Sequence, residues 1–273
     1  MEAPLPAALE EAGAASASGQ LYVIGGFDAA GNSLRTVWVF DGSRWSAGPR
    51  LPLGLDHTSA ATLDGRVYVA GGHSFGRDSA RLFRLDGASW TELRPMRHPR
   101  GGHALIAFEG RLYAIGGNTV SANVAPVEEY DPSSGAWTDL GSLPAPRNHV
   151  AGFVFAGSVC VAGGRSPNTA RVDCFNPASR SWAPTPNLPR STSGAGAVAL
   201  DDGTVVVMGG EDAAESKVVV QLVHMTAGQW SAPQTMLVPR HGFQLAVFEG
   251  RAWACGGGAQ AGLHPVPTCT SVV

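Results

Sequence analysis

No run of apolar residues in this chain approaches the roughly eighteen that a membrane-spanning helix requires, and no stretch keeps a sustained helical period. Charge of one sign is also missing. Nineteen basic residues stand against twenty-two acidic ones, a formal net charge of −3, which gives no general reason to bind nucleic acid or an anionic membrane. The opening Met1 to Pro6 lacks the basic residues and apolar core of a signal peptide, so a targeting segment for an exported protein is expected outside this chain. Catalytic signatures are absent too. There is no Gly-x-Ser-x-Gly, no glycine-rich phosphate loop opening a helix and no His-Glu-x-x-His. Cysteines number only four, with no Cys-x-x-Cys and no histidine pair at ligand spacing beside them, which disfavours zinc. No metal and no cofactor are expected.

What the chain has is a repeat. Six paired glycines recur at Gly25-Gly26, Gly71-Gly72, Gly116-Gly117, Gly163-Gly164, Gly209-Gly210 and Gly256-Gly257, the first of each pair 46, 45, 47, 46 and 47 residues apart. A period of this size marks a unit that cannot bury its apolar face alone and stacks on copies of itself. A tryptophan follows five of the pairs by about twenty residues, at Trp45, Trp90, Trp137, Trp182 and Trp230. Between these landmarks lie runs of four to six residues rich in Val, Ile, Tyr, Phe and Trp, broken by Gly, Asp, Ser and Pro. That texture reads as four antiparallel strands per repeat. The thirty-six glycines and nineteen prolines fall at the turns, not in a low-complexity block. The expected architecture is all-β, one domain spanning 1–273. Its repeats are approximately 9–50, 51–96, 97–143, 144–188, 189–236, and 237–273 together with 1–8. The last copy stops after its third strand, so the N-terminal segment, Met1 to about Pro6, is expected beside Thr268 to Val272, closing the ring and covering a strand edge.

The wording of the repeats resembles the kelch family. Tyr22 to Gly26, Tyr68 to Gly72 and Tyr113 to Gly117 match its Tyr-x-x-Gly-Gly core, and Tyr130-Asp-Pro and Phe175-Asn-Pro match its third-strand ending. Pro99-Arg100, Pro146-Arg147, Pro189-Arg190 and Pro239-Arg240 match its repeat opening. The resemblance covers essentially the whole chain and implies a six-bladed β-propeller, one blade per repeat around a central channel. The tyrosine slot holds Cys160, Val206 and Trp253 in the last three copies, and Leu53 follows Pro52 where the second copy would carry arginine. Kelch-type copper oxidases need tyrosine and histidine ligands. Three of the four tyrosines here sit in the packing slot, which excludes that activity.

Cys160 and Cys174 lie 14 residues apart within one repeat, and Cys255 and Cys269 repeat that separation in another. Each pair joins the strand that reaches the glycines to the next strand. Directly opposed antiparallel residues bring β-carbons within about 4.5 to 5.5 Å, close to the roughly 3.5 to 4.5 Å of a disulfide. Two bridges are expected, with an extracytoplasmic or secreted location; a cytoplasmic protein with four buried thiols is the alternative.

In an antiparallel blade, the turn entering strand one and the loop leaving strand two share one end. That end surrounds the channel mouth. It is expected to gather Arg100, Arg147, Arg190 and Arg240 with His57, His103, His149 and His241, while the loops add His73, Arg77, Arg165, Asp28 and Glu211. Guanidinium and imidazole groups in such a ring hold carboxylates, phosphates or acidic peptides by charge-assisted hydrogen bonds. A repeated arginine also serves to brace its own repeat, and that reading competes with the first. Loop aromatics Phe27 and Phe75, and Trp38, are the candidates for stacking on a ligand. The function expected is a non-catalytic binding or interaction module of a bacterial extracytoplasmic kelch protein, a monomer, taking a protein, a peptide or an anionic or polyhydroxylated small ligand. Two alternatives stand beside it. One is a carbohydrate-binding or carbohydrate-modifying protein resembling sialic acid epimerase; the other is the substrate-recognition domain of a ubiquitin-ligase adaptor.

Overall fold

A computed structural model describes residues 1–212, 217–219 and 221–273. Among the described residues there is no helix, and the strands form antiparallel sheets in the order of the sequence. The first blade is Gly13–Ala17, Gln20–Ile24, Val37–Phe40 and Trp45–Ala47, and the second is Ser59–Leu63, Arg66–Ala70, Leu82–Asp86 and Ser89–Leu93. The third is Gly101–Phe108, Arg111–Asn118, Pro126–Asp131 and Ala136–Ser142, and the fourth is Ala151–Phe155, Ser158–Ala162, Val172–Asn176 and Ser181–Thr185. Gly196–Ala199, Val205–Met208, Gln221–Thr226 and Gln229–Trp230 make the fifth, with Gln234–Thr235 added against Gln221–Thr226. The sixth has Leu245–Phe248, Arg251–Cys255 and Cys269–Val272.

The missing strand comes from the other end of the chain. Glu2 N–H donates to the Cys269 carbonyl at 3.1 Å and Leu5 N–H to the Pro267 carbonyl at 2.8 Å. Leu5 and Leu9 are buried beside Trp253 and Phe248 of the sixth blade and Phe40 of the first, so the segment that completes the last blade also joins it to the first. The result is a six-bladed propeller closed by its N-terminus, with no open edge at the seam.

Local chemistry explains the blades. The first two strands of the third blade turn at Glu109-Gly110 with φ of +47° and +72°, the paired left-handed geometry that matches the twist of a tight hairpin. The paired glycines do different work. Gly25 and Gly26 have φ of +70° and +94°. A β-carbon on them would stand 2.6 Å from the Leu55 carbonyl oxygen and 2.5 Å from that of Glu10. The second glycine of each pair donates its N–H to a carbonyl of the following blade, as Gly72 does to Arg100 at 2.8 Å and, across the seam, Gly257 to Leu9 at 2.9 Å. Side chains then pack between blades. Ala104, Ile106, Tyr113 and Ile115 of the third blade lie against Val159, Val161 and Phe175 of the fourth. Each such buried aliphatic or aromatic side chain stabilises by about 1.5 to 3 kcal/mol. The tryptophans latch blades together: the indole N–H of Trp90 donates to the Pro49 carbonyl at 2.7 Å and that of Trp137 to Arg94 at 2.9 Å.

Both disulfides are present, Cys160 with Cys174 and Cys255 with Cys269. In each, the two residues are directly opposed across neighbouring strands.

Candidate functional site

The channel mouth is rimmed by six residues at one phase of the repeat: Glu11, His57, Gly102, His149, Gly194 and Gly242. All six take a left-handed backbone, with φ between +50° and +64°. Their peptide groups form a closed circuit in which each N–H donates to the carbonyl one blade back. His57 donates to Glu11 at 2.9 Å, Gly102 to His57 at 2.9 Å and His149 to Gly102 at 2.6 Å. Gly194 then donates to His149 at 2.8 Å, Gly242 to Gly194 at 2.8 Å and Glu11 to Gly242 at 2.5 Å. The circuit uses its own donors and acceptors, so the backbone here offers little to a ligand and recognition falls to side chains. Glycine fills three places at no steric cost. At the others, Glu11, His57 and His149 hold a conformation that costs a non-glycine residue about 1 to 2 kcal/mol.

A second tier lies just outside. The residue before each rim position pairs in antiparallel fashion with the residue after the paired glycines: Glu10 with Phe27, Asp56 with His73, Gly101 with Asn118, Asn148 with Arg165, Ser193 with Glu211 and His241 with Gly258. These partners fix the rim. His57 Nδ1 is 2.7 Å from Asp56 Oδ1, whose other oxygen accepts from Ser33 Oγ at 2.5 Å. His149 Nδ1 is 2.5 Å from Asn148 Oδ1, and Arg165 Nη2 stands 2.7 Å from His149 Nε2. Because a guanidinium only donates, His149 carries its proton on Nδ1 and presents a lone pair on Nε2. Arg165 is also ion-paired to Glu211. Below the rim, Gln244 floors part of the space, accepting from the Ala14 and Ala60 N–H groups at 3.0 Å each and donating to the Ala60 carbonyl at 2.7 Å. The cavity at this level is small, about 60 Å³.

Burial and neighbouring charge set the protonation. Burial pushes Glu10 up to about 7, against the His264 N–H that donates to it at 3.0 Å. Burial opposes the charged form of His57, but the carboxylates of Glu11 and Asp56 outweigh it and raise the imidazole above its ordinary value. His149 is held well below that value, by burial first and then by His57 and Arg165. One carboxylate oxygen of Glu11 and one ring nitrogen each of His57 and His149 lie within 4.8 Å of one another, which makes them the group among the described residues able to hold a cation.

Several sequence expectations are corrected here. Arg100, Arg147 and Arg240 are essentially inaccessible to solvent and turn into their own blades, away from the mouth. Arg100 donates to the Gly116 and Pro126 carbonyls at 2.9 Å and to Glu128 at 2.6 Å. Arg147 donates to the Gly163 carbonyl and pairs with Asp173 at 2.9 Å, and Arg240 caps Gly256 and Thr268. Each satisfies carbonyls at a blade end, the bracing role. His103 falls one residue past the rim, and strand alternation sends it between the second and third blades, where both ring nitrogens lack a partner. His241 falls one residue short and hydrogen-bonds the Gln260 and Gly262 carbonyls at 2.8 and 3.1 Å. Asp28 is spent on its own loop, accepting from Ala30 and Asn32 N–H at 2.9 Å.

Arg77 and Arg190 are exposed, the first on the tip of the His73–Ser74 and Arg77–Asp78 hairpin. His73 faces Asp78 at 3.1 Å, and its ring lies edge-on to His57 with centroids 5.4 Å apart. Phe27 contacts His57 edge-on at the same centroid distance, while Phe75 is 71% exposed. Glu10, Glu11, Asp56, Asn148 and Gln244 are site residues that the motif reading did not single out. Aligning the copies by phase places Glu11 in one column with His57 and His149, and that column is the signal that finds them.

The sequence profile of the KLHDC2/KLHL20/DRC7 Kelch-repeats domain matches residues 1–164. The chain belongs to the kelch-repeat family. Among its kelch relatives, the human Kelch repeat and BTB domain-containing protein 13 is 33% identical over 148 residues, covering 54% of this chain and 32% of that one. Alpha-scruin of Limulus polyphemus is 27% identical over 191 residues, covering 64% and 21%. The chain thus spans about a third or less of the length of these relatives. The solved structure titled "Structure of YjhT" superposes with a TM-score of 0.82 at 17% identity over 98% of this chain and 95% of that one, a likeness of fold.

Proposed function

We propose that this kelch propeller acts as a single binding domain, a non-catalytic interaction module that takes its partner on the face around the channel mouth. One observation carries the reading. Apart from the terminal Met1 and Val273, the large apolar side chains left exposed among the described residues are Phe75, Val120, Leu237 and Leu263. Phe75, Val120 and Leu263 lie in loops that leave the paired glycines of the second, third and sixth blades, and Leu237 lies in the link entering the sixth. Strand alternation puts all of these at the mouth end, and the hairpin turns at the other end expose none. An exposed apolar group is informative where such groups collect on one face. Around the polar centre of Arg165, Glu211, His57 and Glu11 they make a surface suited to a protein or peptide that offers apolar side chains to the loops and a polar or hydroxyl-bearing group to the mouth. The two disulfides support an extracytoplasmic or secreted setting and weigh against an intracellular ligase adaptor.

A second reading keeps the same face and takes a small polyhydroxylated ligand. The observation favouring it is the Glu11, His57, His149, Arg165 and Glu211 network, which offers carboxylate acceptors and a guanidinium donor within one recess. Peptide and glycan arrays probed with wild-type protein, Phe75→Glu, Arg165→Ala and the opposite-face control Glu109→Lys test both. The proposal expects binding to fall in the first two variants and to persist in the control. Binding lost only in the control overturns it. Peptides lost in Phe75→Glu favour the first reading, and glycans lost only in Arg165→Ala favour the second.

A further inference from the structure

We propose that Glu11, His57 and His149 form a site for one first-row divalent metal ion of the zinc, iron or cobalt type, seated on the propeller axis at the channel mouth. Two imidazole nitrogens and one carboxylate oxygen are a donor set that suits such ions and leaves coordination positions open. His57 Nε2 and His149 Nε2 each stand 3.8 Å from the same Glu11 oxygen. Ligands about 2.1 Å from a shared ion are about 3 to 3.5 Å apart, so a movement of about half an ångström in the unbranched Glu11 side chain closes both Glu11–histidine gaps, and the two imidazole nitrogens, within 4.8 Å of one another, must draw together on the ion.

Three further observations point to a ligand rather than to packing. Both histidines use Nδ1 on an adjacent oxygen acceptor, Asp56 at 2.7 Å and Asn148 at 2.5 Å, which leaves Nε2 of each on the side of Glu11. That is the outer-shell arrangement that fixes the tautomer of a metal-binding imidazole. The acceptors are themselves held: Asp56 by Ser33 Oγ at 2.5 Å, and Asn148 through its own amide on Asn123 at 2.6 Å. The rim also makes room. A β-carbon on Gly242 would lie 2.7 Å from Glu11 Oε1, and one on Gly102 would lie 3.0 Å from His149 Nδ1. Neither position tolerates a side chain without moving the triad.

Arg165 is the competing cation. Its guanidinium occupies the His149 Nε2 lone pair at 2.7 Å while pairing with Glu211. An ion entering the triad takes that lone pair and leaves Arg165 on Glu211 alone. The site therefore responds to Arg165 in the opposite sense from an anion site, where removing the guanidinium weakens binding. This inference shares its location with the proposed binding face and needs no partner for its test, so each can fail without the other.

The experiment uses the full chain stripped with chelator and titrated with Zn2+ and Co2+, read by calorimetry, by the visible Co2+ spectrum and by thermal melting. The expected result is one ion per chain, a melting temperature raised by the ion, and a Co2+ band characteristic of nitrogen and oxygen ligands. His57→Asn and His149→Asn, chosen because asparagine accepts the left-handed backbone, abolish the band. Asp56→Asn weakens binding by about 10- to 100-fold, and Arg165→Ala tightens it. No stoichiometric binding by the wild-type chain overturns the inference, as does a band that survives both asparagine variants. If those variants fail to fold, Glu11→Gln and Arg165→Ala decide, and unchanged affinity in both overturns it.

Discussion

The two ends of the central channel are framed by the same six innermost strands and share almost no chemistry. At the mouth the wall is Glu11, His57 and His149 backed by Asp56, Asn148 and Arg165. Lower down it is mostly alanine, valine and leucine, such as Ala61, Ala107, Val154, Ala199 and Val247, with Ser16 and Thr62 as its hydroxyls. Those hydroxyls are turned on neighbouring strands, Thr62 Oγ1 donating to the Ser16 carbonyl at 2.7 Å. The difference comes from one backbone feature. Within a strand, side chains alternate between blade interfaces, whereas the left-handed residue at the start of the innermost strand, where it is not glycine, turns its side chain toward the axis. Chemistry that is free to differ between repeats collects at that position.

The sharpest way to break the comparison is to exchange an inward arginine for alanine. Arg100→Ala removes one partner of a buried ion pair and leaves Glu128 at zero exposure without its cation. Loss of about 3 to 5 kcal/mol in denaturant unfolding is expected. A loss below about 1 kcal/mol would return Arg100 to the ligand face. Next in size, replacing Cys160 and Cys174 together by alanine removes the cross-link of a short loop and lowers stability by up to about 3 kcal/mol. Free thiols at these positions in protein purified without reductant would contradict the bridge.

A smaller effect separates His103 from the mouth histidines. Burial first, then Arg100 and His73, holds His103 well below the ordinary imidazole value. Above about pH 6.5 both folded and unfolded chains keep it neutral, so its contribution is fully present. As the pH falls below that, the unfolded chain takes a proton that the folded chain refuses, and stability is lost. His103→Leu should therefore flatten the acid side of the curve of melting temperature against pH, and at pH 8 it should melt no lower than wild type, because two unpartnered ring nitrogens disappear. An unchanged acid slope would place His103 in contact with solvent. Smallest of all, Arg165→Ala should shift stability by no more than about 1 kcal/mol: Glu211 is only 9% exposed, but the arginine is about one-third open, so water enters the vacated space at the mouth and solvates the carboxylate.

The scaffold was legible because the period is a global signal. Six glycine pairs and the truncated last copy anticipated the ring and its closure, and the repeated separation of 14 anticipated both bridges. The mouth was legible only by halves. His57, His149, Arg165 and Glu211 were singled out, but Arg100, Arg147 and Arg240 were placed beside them because recurrence does not reveal which way a side chain turns. Arg100 bends back to meet Glu128, 28 residues on, a contact that no local spacing announces. Glu10 and Glu11 carry no motif because they open the first repeat, where Leu9 stands at the phase that Arg100, Arg147 and Arg240 occupy in other copies. One residue of phase separates the rim His57 from the interior His103, and motif matching does not resolve one residue.

The most direct test is denaturant unfolding of Arg100→Ala and Arg165→Ala side by side at neutral pH. Arg100, Arg147 and Arg240 brace their blades, whereas the blade-specific Arg165 pairs with Glu211 and His149 at the mouth. That division predicts a loss of about 3 to 5 kcal/mol for the first variant and no more than about 1 kcal/mol for the second. Equal losses, or a larger loss at Arg165, would contradict it.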